Sequence, residues 1–227
     1  MFVPAVGVLA AYVFSGASLD IEWKCLPWRW APAAILLLPL AIHSVALPGV
    51  FLLEGKLPWV PNLALGPGYL AINALTGLII VSFLAFFEEI GWRAFMLPRL
   101  AERLGMRRAA VASAIIWALW HVPYALSGIS HVENVTPFAL AIVQPVGTFG
   151  AGLFLAFLWF KTESILLVSL AHGAMNNWGQ YAFKFMKTSS ERDLVLLVLV
   201  AVAMLAVGAV ALVQTRHNCR LKPTAAR

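Results

Sequence analysis

Charged residues are scarce in this sequence. Asp, Glu, Lys and Arg make up 11% of its 227 residues, and 62% are hydrophobic, whereas about a quarter of an ordinary soluble domain is charged. This deficit excludes a soluble globular protein and indicates an integral membrane protein that resides in a lipid bilayer. The formal charge of +6 comes from short basic clusters between apolar runs. Because these form no basic stripe or recognised motif, we expect no nucleic-acid partner.

Cysteine is also rare. The two cysteines, Cys25 and Cys219, lie too far apart in sequence to form a metal-binding or disulfide spacing, and we interpret them as incidental. The first residues, MFVPAVGVLAAYVF, lack the basic start and cleavage site of a signal peptide, so we expect a retained first span. No internal repeat, low-complexity tract or soluble domain separates the apolar runs. We therefore predict one integral membrane domain over residues 1–227.

Long apolar runs dominate the sequence. A helix needs about twenty residues to cross a hydrocarbon core about 30 Å thick. Helices are the expected spanning form, because no alternating barrel pattern is visible. We predict an all-α, polytopic membrane helix bundle of about seven transmembrane helices, with eight as the alternative. The predicted spans lie near residues 2–19, 33–53, 68–97, 109–128, 135–160, 164–181 and 194–214.

Basic residues follow every second predicted span and so indicate a direction. An excess of Lys and Arg marks the cytoplasmic side of a membrane. We therefore predict an external amino terminus and a cytoplasmic carboxyl terminus. The basic residues that follow the first, third, fifth and seventh spans are Lys24, Arg29, Arg99, Arg103, Arg107, Arg108, Lys161, Arg216, Arg220, Lys222 and Arg227.

Three polar residues interrupt the apolar runs at a similar depth. Glu88 lies in FFEEIGWR, His121 in AIIWALWHVP and His172 in ILLVSLAHGAMNN. Each is eleven to thirteen residues from a basic position that we place on the cytoplasmic side, or roughly 16–20 Å at 1.5 Å per residue. Ionisable groups at membrane depth are costly and usually functional. We predict that these three side chains converge on one site.

Helical spacing predicts how the neighbouring side chains project. Residues four apart share a helix face, so Glu89 is expected to pair with Arg93 while Glu88, about 100° away, points elsewhere. A charge pair that offsets its own burial and a direct chemical role both remain open for Glu89 and Arg93. By the same rule, Asn176 is expected to project with His172.

Other features receive structural interpretations. Pro123 lacks a backbone hydrogen-bond donor and is expected to open the helix just after His121. His43, in the second span, is interpreted as a helix-to-helix hydrogen-bonding group. The glycines in GTFGAG, residues 147–152, are expected to permit close helix packing.

These side chains include no usual nucleophile such as a placed Ser or Cys, so water is the expected nucleophile. Glu88 suits the general base, and His121 could hold the same water. His172 could donate a hydrogen bond to a developing oxyanion, together with Asn176. The alternative is a zinc ion held by Glu88, His121 and His172. Because the chain lacks an H-E-x-x-H signature, the spacing leaves both versions open.

Two other classes of function compete with an enzyme. Intramembrane Glu and His residues also form proton relays, so a proton or ion transporter is one alternative. The sequence shows neither inverted repeats nor paired broken helices, which are typical of transporters. The other alternative is a membrane scaffold or immunity protein without catalysis. Such a protein would not need Glu88, His121 and His172 at one depth.

Three short motifs carry a family resemblance. EEIGWR fits the motif E-E-x-x-x-R, WALWH stands where F-x-x-x-H is expected, and HGAMN fits H-x-x-x-N, in this order on successive spans. The sequence resembles the CPBP family over about residues 68–181. This family contains type II CAAX prenyl endopeptidases, bacteriocin-processing and self-immunity proteins and the Abi group. The resemblance implies an intramembrane endopeptidase that cleaves near the carboxyl end of a membrane-associated protein or peptide, a prenylated CAAX protein in eukaryotic members.

The resemblance also implies roles for individual residues. Glu88 would activate water with the help of His121, and His172 would stabilise the oxyanion. The remaining implied residues are Asn176 in the oxyanion site and Glu89 and Arg93 as supporting residues. Trp117 replaces the Phe of the motif, and we expect it to alter the pocket shape rather than remove catalysis. The family has been described both as metalloproteases and as glutamate proteases, so zinc stays an alternative to catalysis without a cofactor. The compact chain resembles bacterial members, which implies the inner membrane.

Overall fold

The described part of the chain is helical. The computed structural model describes residues 2–16, 24, 26–56, 66–129, 132, 134–179, 181 and 192–215. No β-strand occurs in these ranges, and the prediction of an all-α membrane bundle is confirmed. The helices are α1 (Val3–Ser15), α2 (Ala31–Glu54), α3 (Gly66–Glu89), α4 (Leu97–Leu104), α5 (Met106–Trp120), α6 (Val122–Leu126), α7 (Pro137–Thr162), α8 (Ile165–Trp178) and α9 (Asp193–Gln214).

All seven predicted apolar runs contain a helix, but the helices differ in length. Five described helices are long and apolar enough to cross a membrane: Trp28–Glu54, Ala71–Leu104, Met106–Leu126, Pro137–Thr162 and Asp193–Gln214. The other two, α1 and α8, have only 13 and 14 residues. Helix α1 stops at Gly16, whose φ of 63° is left-handed, and the start of α8 is capped by Ser164. The described residues therefore contain five helices that are long enough to cross a membrane, while α1 and α8 are shorter.

Several expectations concern residues that the structure does not describe. Cys25, Cys219 and the basic residues from 216 to 227 lie outside the described residues. The direction of the bundle, with its cytoplasmic carboxyl terminus, depends partly on that last segment. The direction and the bacterial inner membrane therefore stay predictions.

Small residues bring α3 and α8 into direct contact. A Cβ atom added to Gly173 would overlap Ser82 on α3 and lie only 2.6 Å from the Ser82 Cα atom. A Cβ added to Gly77 would lie 2.7 Å from the side-chain amide of Asn177. Lipid tails supply no hydrophobic force between helices, so close backbone approach is a main source of their attraction. This interface holds the helix of Glu88 against the helix of His172.

The glycines of GTFGAG pack against two other helices, as predicted. A Cβ on Gly150 would overlap the backbone of α9 at Met204, and one on Gly208 of α9 would lie 2.7 Å from the Gly150 Cα atom. A Cβ on Gly152 would lie 3.1 Å from the Cα of Ala114 on α5. Helix α7 therefore lies close to α5 and α9 because its glycines leave room for their backbones.

We expect Gly173→Ala to destabilise the protein and to lower its activity. The added methyl meets backbone atoms of α3 that cannot rotate away, and overpacking of this kind costs about 1–3 kcal/mol. The melting temperature in detergent measures the effect. Gly7→Ala is the matched control, because a Cβ at Gly7 of α1 meets nothing within 4 Å. Equal melting temperatures for the two variants would contradict the tight α3–α8 interface.

The helix that carries the two adjacent glutamates is not a regular α-helix throughout. Helix α3 ends at Glu89, and a π-helical segment, Ile90–Met96, connects it to α4. Segments of this type are rare and are often found at functional sites. Helix α1 packs on the segment, where a Cβ on Gly91 would lie 2.9 Å from the carbonyl carbon of Pro4.

Two local expectations have different outcomes. The helix of His121 is interrupted as predicted, since α5 ends at Trp120 and α6 begins at Val122, with Pro123 in its first turn.

His43 was expected to bond to a neighbouring helix, and that expectation is wrong. Its Nδ1 atom lies 2.8 Å from the carbonyl oxygen of Pro39, one turn earlier in its own helix. The imidazole therefore finds a partner without reaching across an interface.

Candidate active site

Glu88 and Glu89 are the last two residues of α3, and both are withdrawn from the surface. Their exposed fractions are 6% and 0%. The predicted pair forms, with Arg93 Nη1 donating a 2.8 Å hydrogen bond to Glu89 Oε1. Arg93 is also fully buried. A buried carboxylate is stabilised by an opposite charge and hydrogen bonds, so this pair offsets the burial of both groups.

His172 contacts the second of the two glutamates, where we had expected it to converge with Glu88. Its Nδ1 atom donates to Glu89 Oε1 across a distance of 2.8 Å, and the side chain is 1% exposed. Successive helical residues project about 100° apart, so one carboxylate faces α8 while the other faces α5. Glu89 thus joins Arg93 to His172 and is more than a local ion-pair partner.

Trp117 of α5 lies at the centre of the site. Its indole Nε1 donates a hydrogen bond to Glu88 Oε2 at 3.4 Å. The ring centroids of His121 and His172 lie 5.3 and 5.1 Å from that of Trp117, with both imidazoles edge-on. The Arg93 Cζ atom lies 4.4 Å from the same centroid, within the range of a cation–π contact. One indole therefore contacts four of the predicted site residues.

His121 lies at the break between α5 and α6 and is half-buried. Its Nδ1 atom lies 2.8 Å from the carbonyl oxygen of Trp117. A carbonyl oxygen only accepts hydrogen bonds, so Nδ1 carries the proton and Nε2 is the lone-pair nitrogen of the neutral ring. The bond to Trp117 thus leaves Nε2 as the acceptor nitrogen of the neutral His121 ring.

Asn176 lies one turn after His172 in α8, on the same helix face. It is half-buried, and its side chain makes no hydrogen bond to another described residue. Its neighbour Asn177 has a different role that the sequence did not reveal. The Asn177 amide donates to the carbonyl oxygen of Ala74 at 3.2 Å, and the Trp178 indole donates to the same oxygen at 3.0 Å. These bonds fasten the end of α8 to α3.

The polar contact made by Trp117 was also missed from the sequence. The motif position predicts an aromatic ring, and a Phe there would have no donor. The only signal was the substitution of Trp, with its indole N–H, at a position in line with His121. Its contact with Glu88 depends on how α3 and α5 are rotated, which spacing along the chain does not determine.

The donor set does not have the arrangement of a zinc site. In the part of the chain that the structure describes, no three His, Cys, Asp or Glu side chains are grouped so that they could hold a metal ion. The Nδ1 atoms of His121 and His172 are engaged by a carbonyl and a carboxylate, which leaves their Nε2 atoms as the nitrogens that could bind a metal. Glu88 faces the Trp117 indole. Among the described residues, Glu88, His121 and His172 are not grouped as a three-residue metal centre, and we derive no step through one.

Comparisons with known proteins locate the similarity in the region of this site. Residues 70–178 match a family model described as Rce1-like, type II CAAX prenyl endopeptidase. A curated protein of Methanococcus maripaludis, named CAAX prenyl protease 2, is 37% identical over 46 residues. That alignment covers 20% of this chain and 17% of the relative, so the chain spans well under two thirds of the relative's length. All six predicted site residues fall within the range 70–178.

Proposed function

Because this chain belongs, through residues 70–178, to the Rce1-like family of type II CAAX prenyl endopeptidases, we propose that it is an intramembrane endopeptidase. The substrate would be a membrane-associated protein or peptide, cut near its carboxyl end. A prenylated CAAX sequence is the first candidate, as the name of the curated relative suggests. The observation that carries the proposal is the buried cluster around Trp117, which holds a carboxylate beside two imidazoles.

In this proposal Glu88 is the general base. One of its oxygens accepts the Trp117 hydrogen bond, and the other has no hydrogen-bond partner among the described residues, so it is available to a water molecule. The Nε2 atom of His121 is a second acceptor for the same water. A base must reach its proton directly or through one water. Both groups lie against one indole ring, which supports a shared water.

The proposed reaction is the hydrolysis of an amide bond. The water oxygen attacks the carbonyl carbon while Glu88 accepts a proton, and the carbonyl oxygen becomes an oxyanion. The carbon–nitrogen bond then breaks, and the leaving nitrogen takes the proton from Glu88. The products are a new carboxyl end and a new amine end. No covalent enzyme intermediate is required, which agrees with the absence of Ser or Cys from the cluster formed by Glu88, Glu89, Arg93, Trp117, His121 and His172.

Two donors are proposed for the oxyanion. His172 would keep its Nδ1 bond to Glu89 and offer an Nε2–H donor to the substrate. Arg93 holds the Glu89 carboxylate in place, which fixes the orientation of the imidazole. The amide of Asn176, on the same face of α8, would be the second donor. Donors that are positioned before the reaction stabilise charge that develops in the transition state.

We expect Asn176→Ala to lower kcat by about 10²–10³, the typical effect of losing one oxyanion donor. The melting temperature should change little, because the Asn176 side chain makes no hydrogen bond to another described residue. Asn177→Ala is the contrasting neighbour, since it removes a bond between α8 and α3 and should mainly lower the melting temperature. The opposite pattern, with a stability loss for Asn176→Ala and normal kcat, would remove Asn176 from the oxyanion site.

The proposed function is tested with purified protein in detergent and two fluorogenic CAAX peptides, one farnesylated and one not. We expect cleavage of the farnesylated peptide. Cleavage of both at equal rates would show that prenylation is not recognised. Addition of a zinc chelator addresses the alternative cofactor: unchanged cleavage supports catalysis without a metal, and lost cleavage that zinc restores supports a zinc enzyme. If folded protein cleaves neither peptide, a scaffold or a transporter becomes the better hypothesis.

A further inference from the structure

Trp117 has a polar contact that the Phe of the family motif could not make. Building on the proposed function, we propose that Trp117 is the positioning residue for Glu88. Its indole N–H holds Oε2 of the carboxylate and leaves Oε1 to face the water. This assigns a specific role in the reaction to a side chain that the motif treats as a hydrophobic ring.

The bond between the Trp117 indole and Glu88 is buried and has a fixed direction. Trp117 is 1% exposed and Glu88 6%, so little bulk water competes for either group. The indole N–H is a donor only, and an ionised carboxylate is an acceptor only, so the direction of the bond is unambiguous. Its length of 3.4 Å leaves room for the bond to shorten as charge shifts. No other described side chain donates a hydrogen bond to Glu88, so this contact is the hydrogen bond that can orient its carboxylate.

The Trp117 indole is itself held in place by its neighbours. His121 and His172 stand edge-on to its ring, and the Arg93 guanidinium lies over it. A donor fixed by three neighbours cannot follow a moving carboxylate, so it restricts the position of Glu88. The backbone carbonyl of Trp117 also accepts the bond from His121 Nδ1. One residue therefore orients both groups that we propose to hold the water.

The competing interpretation is that Trp117 only fills space. A buried Trp contributes a large hydrophobic area whatever its polar contacts, so a loss of stability in a variant would not distinguish the two views. Replacement by Phe keeps an aromatic ring, and Phe is the residue of the family motif. It removes the indole donor while the protein is expected to fold. The informative readouts are therefore kcat and the state of the indole N–H.

The kinetic test is Trp117→Phe. We expect kcat to fall about tenfold or more, because hydrogen bonds to charged groups are among the stronger ones. We expect KM to stay close to the wild-type value, because Glu88 acts on the water rather than on substrate binding. Trp120→Phe is the matched control: it makes the same change in the same helix at a residue that is 45% exposed. Wild-type kcat in Trp117→Phe would overturn the proposal.

The spectroscopic test does not depend on activity. With ¹⁵N-labelled tryptophan, Trp117→Phe identifies the indole N–H resonance of Trp117 by its loss. Glu88→Gln should then move that resonance upfield, because a bond to a neutral amide oxygen is weaker than one to a carboxylate. The surface substitution Glu102→Gln should leave it in place. If the chemical shift of the Trp117 indole N–H does not change in Glu88→Gln, the positioning role is overturned, even if the enzyme cleaves peptides.

The two tests separate failure of the inference from failure of the proposed function. If the wild type cleaves no peptide but the Trp117 resonance responds to Glu88→Gln, the contact exists and the peptidase assignment fails. If the wild type cleaves and neither readout responds, the peptidase stands and Trp117 is a packing residue. If Trp117→Phe does not fold, a ¹⁵N-labelled Trp117→Tyr sample is used instead. The indole N–H resonance that is missing from its spectrum is then assigned to Trp117.

Discussion

We expect Glu88→Gln to abolish peptide cleavage and to leave the protein folded. Gln has nearly the same shape as Glu, and its side-chain oxygen can still accept the indole hydrogen bond of Trp117. It cannot take a proton from water at neutral pH. General-base catalysis typically contributes 10²–10⁴ in rate, so the expected loss in kcat is of that order or larger. The measurement compares initial cleavage rates of the purified variant and the wild type at saturating peptide, together with their melting temperatures.

The matched control for this substitution is Glu102→Gln. Glu102 is an exposed residue of α4 and lies outside the cluster around Trp117. The substitution Glu102→Gln should leave kcat and the melting temperature close to the wild-type values. Cleavage by Glu88→Gln at a rate like that of Glu102→Gln would exclude Glu88 as the base. It would also exclude a proton relay through Glu88 as the basis of activity.

The second large effect concerns stability. Arg93→Ala leaves the buried Glu89 with no cation, although His172 still donates to it. Removing one partner of a buried ion pair destabilises proteins by about 3–5 kcal/mol. We therefore expect Arg93→Ala to melt well below the wild type in detergent, or to be recovered in low yield. The reason is the cost of a fully buried charge, since both side chains are 0% exposed.

A surface ion pair of the same chain is the control. Arg192 and Glu54 lie 3.4 Å apart, but their side chains are 43% and 16% exposed. Arg192 also donates to the carbonyl oxygen of Leu53, but its guanidinium is accessible to water. Ion pairs of exposed groups contribute about 0–1 kcal/mol, so Arg192→Ala should lower the melting temperature far less than Arg93→Ala. Replacement of both buried partners, as Glu89→Gln with Arg93→Met, should recover part of the lost stability. If Arg93→Ala and Arg192→Ala have the same melting temperature, the buried pair does not stabilise the protein more than the other pair does.

Much of the site could be predicted because helical spacing determines depth and face. The common level of Glu88, His121 and His172 follows from residue counts and the rise of an α-helix, and all three contact Trp117 or its partners. The four-residue spacing predicted the pair of Glu89 and Arg93. These features depend on local geometry, which the sequence specifies directly.

The partner choice of the two adjacent carboxylates could not be predicted in the same way. His172 bonds to Glu89 rather than Glu88 because α3 is rotated so that its two last residues face different helices. That rotation depends on interhelical contacts such as Gly173 against Ser82. These contacts lie far apart in sequence. The π-helical segment after Glu89 has no periodic signature of its own, so its effect on the site also required the structure.

The helix lengths show a similar limit. An apolar run indicates a helix but not where the helix stops. Helix α1 stops at Gly16, which takes a left-handed conformation. Helix α8 starts only after Glu163 takes a positive φ of 47°. Both ends depend on the backbone conformation of single residues, which a hydropathy pattern does not predict.

An endopeptidase whose general base is Glu88 is identified by the product that it releases. Purified wild-type protein is incubated with a farnesylated CAAX peptide, and the products are resolved by mass spectrometry. We expect an intact carboxyl-terminal peptide, formed by the wild type and not by Glu88→Gln. Release of single amino acids, equal release by Glu88→Gln, or no release by folded wild-type protein would contradict it.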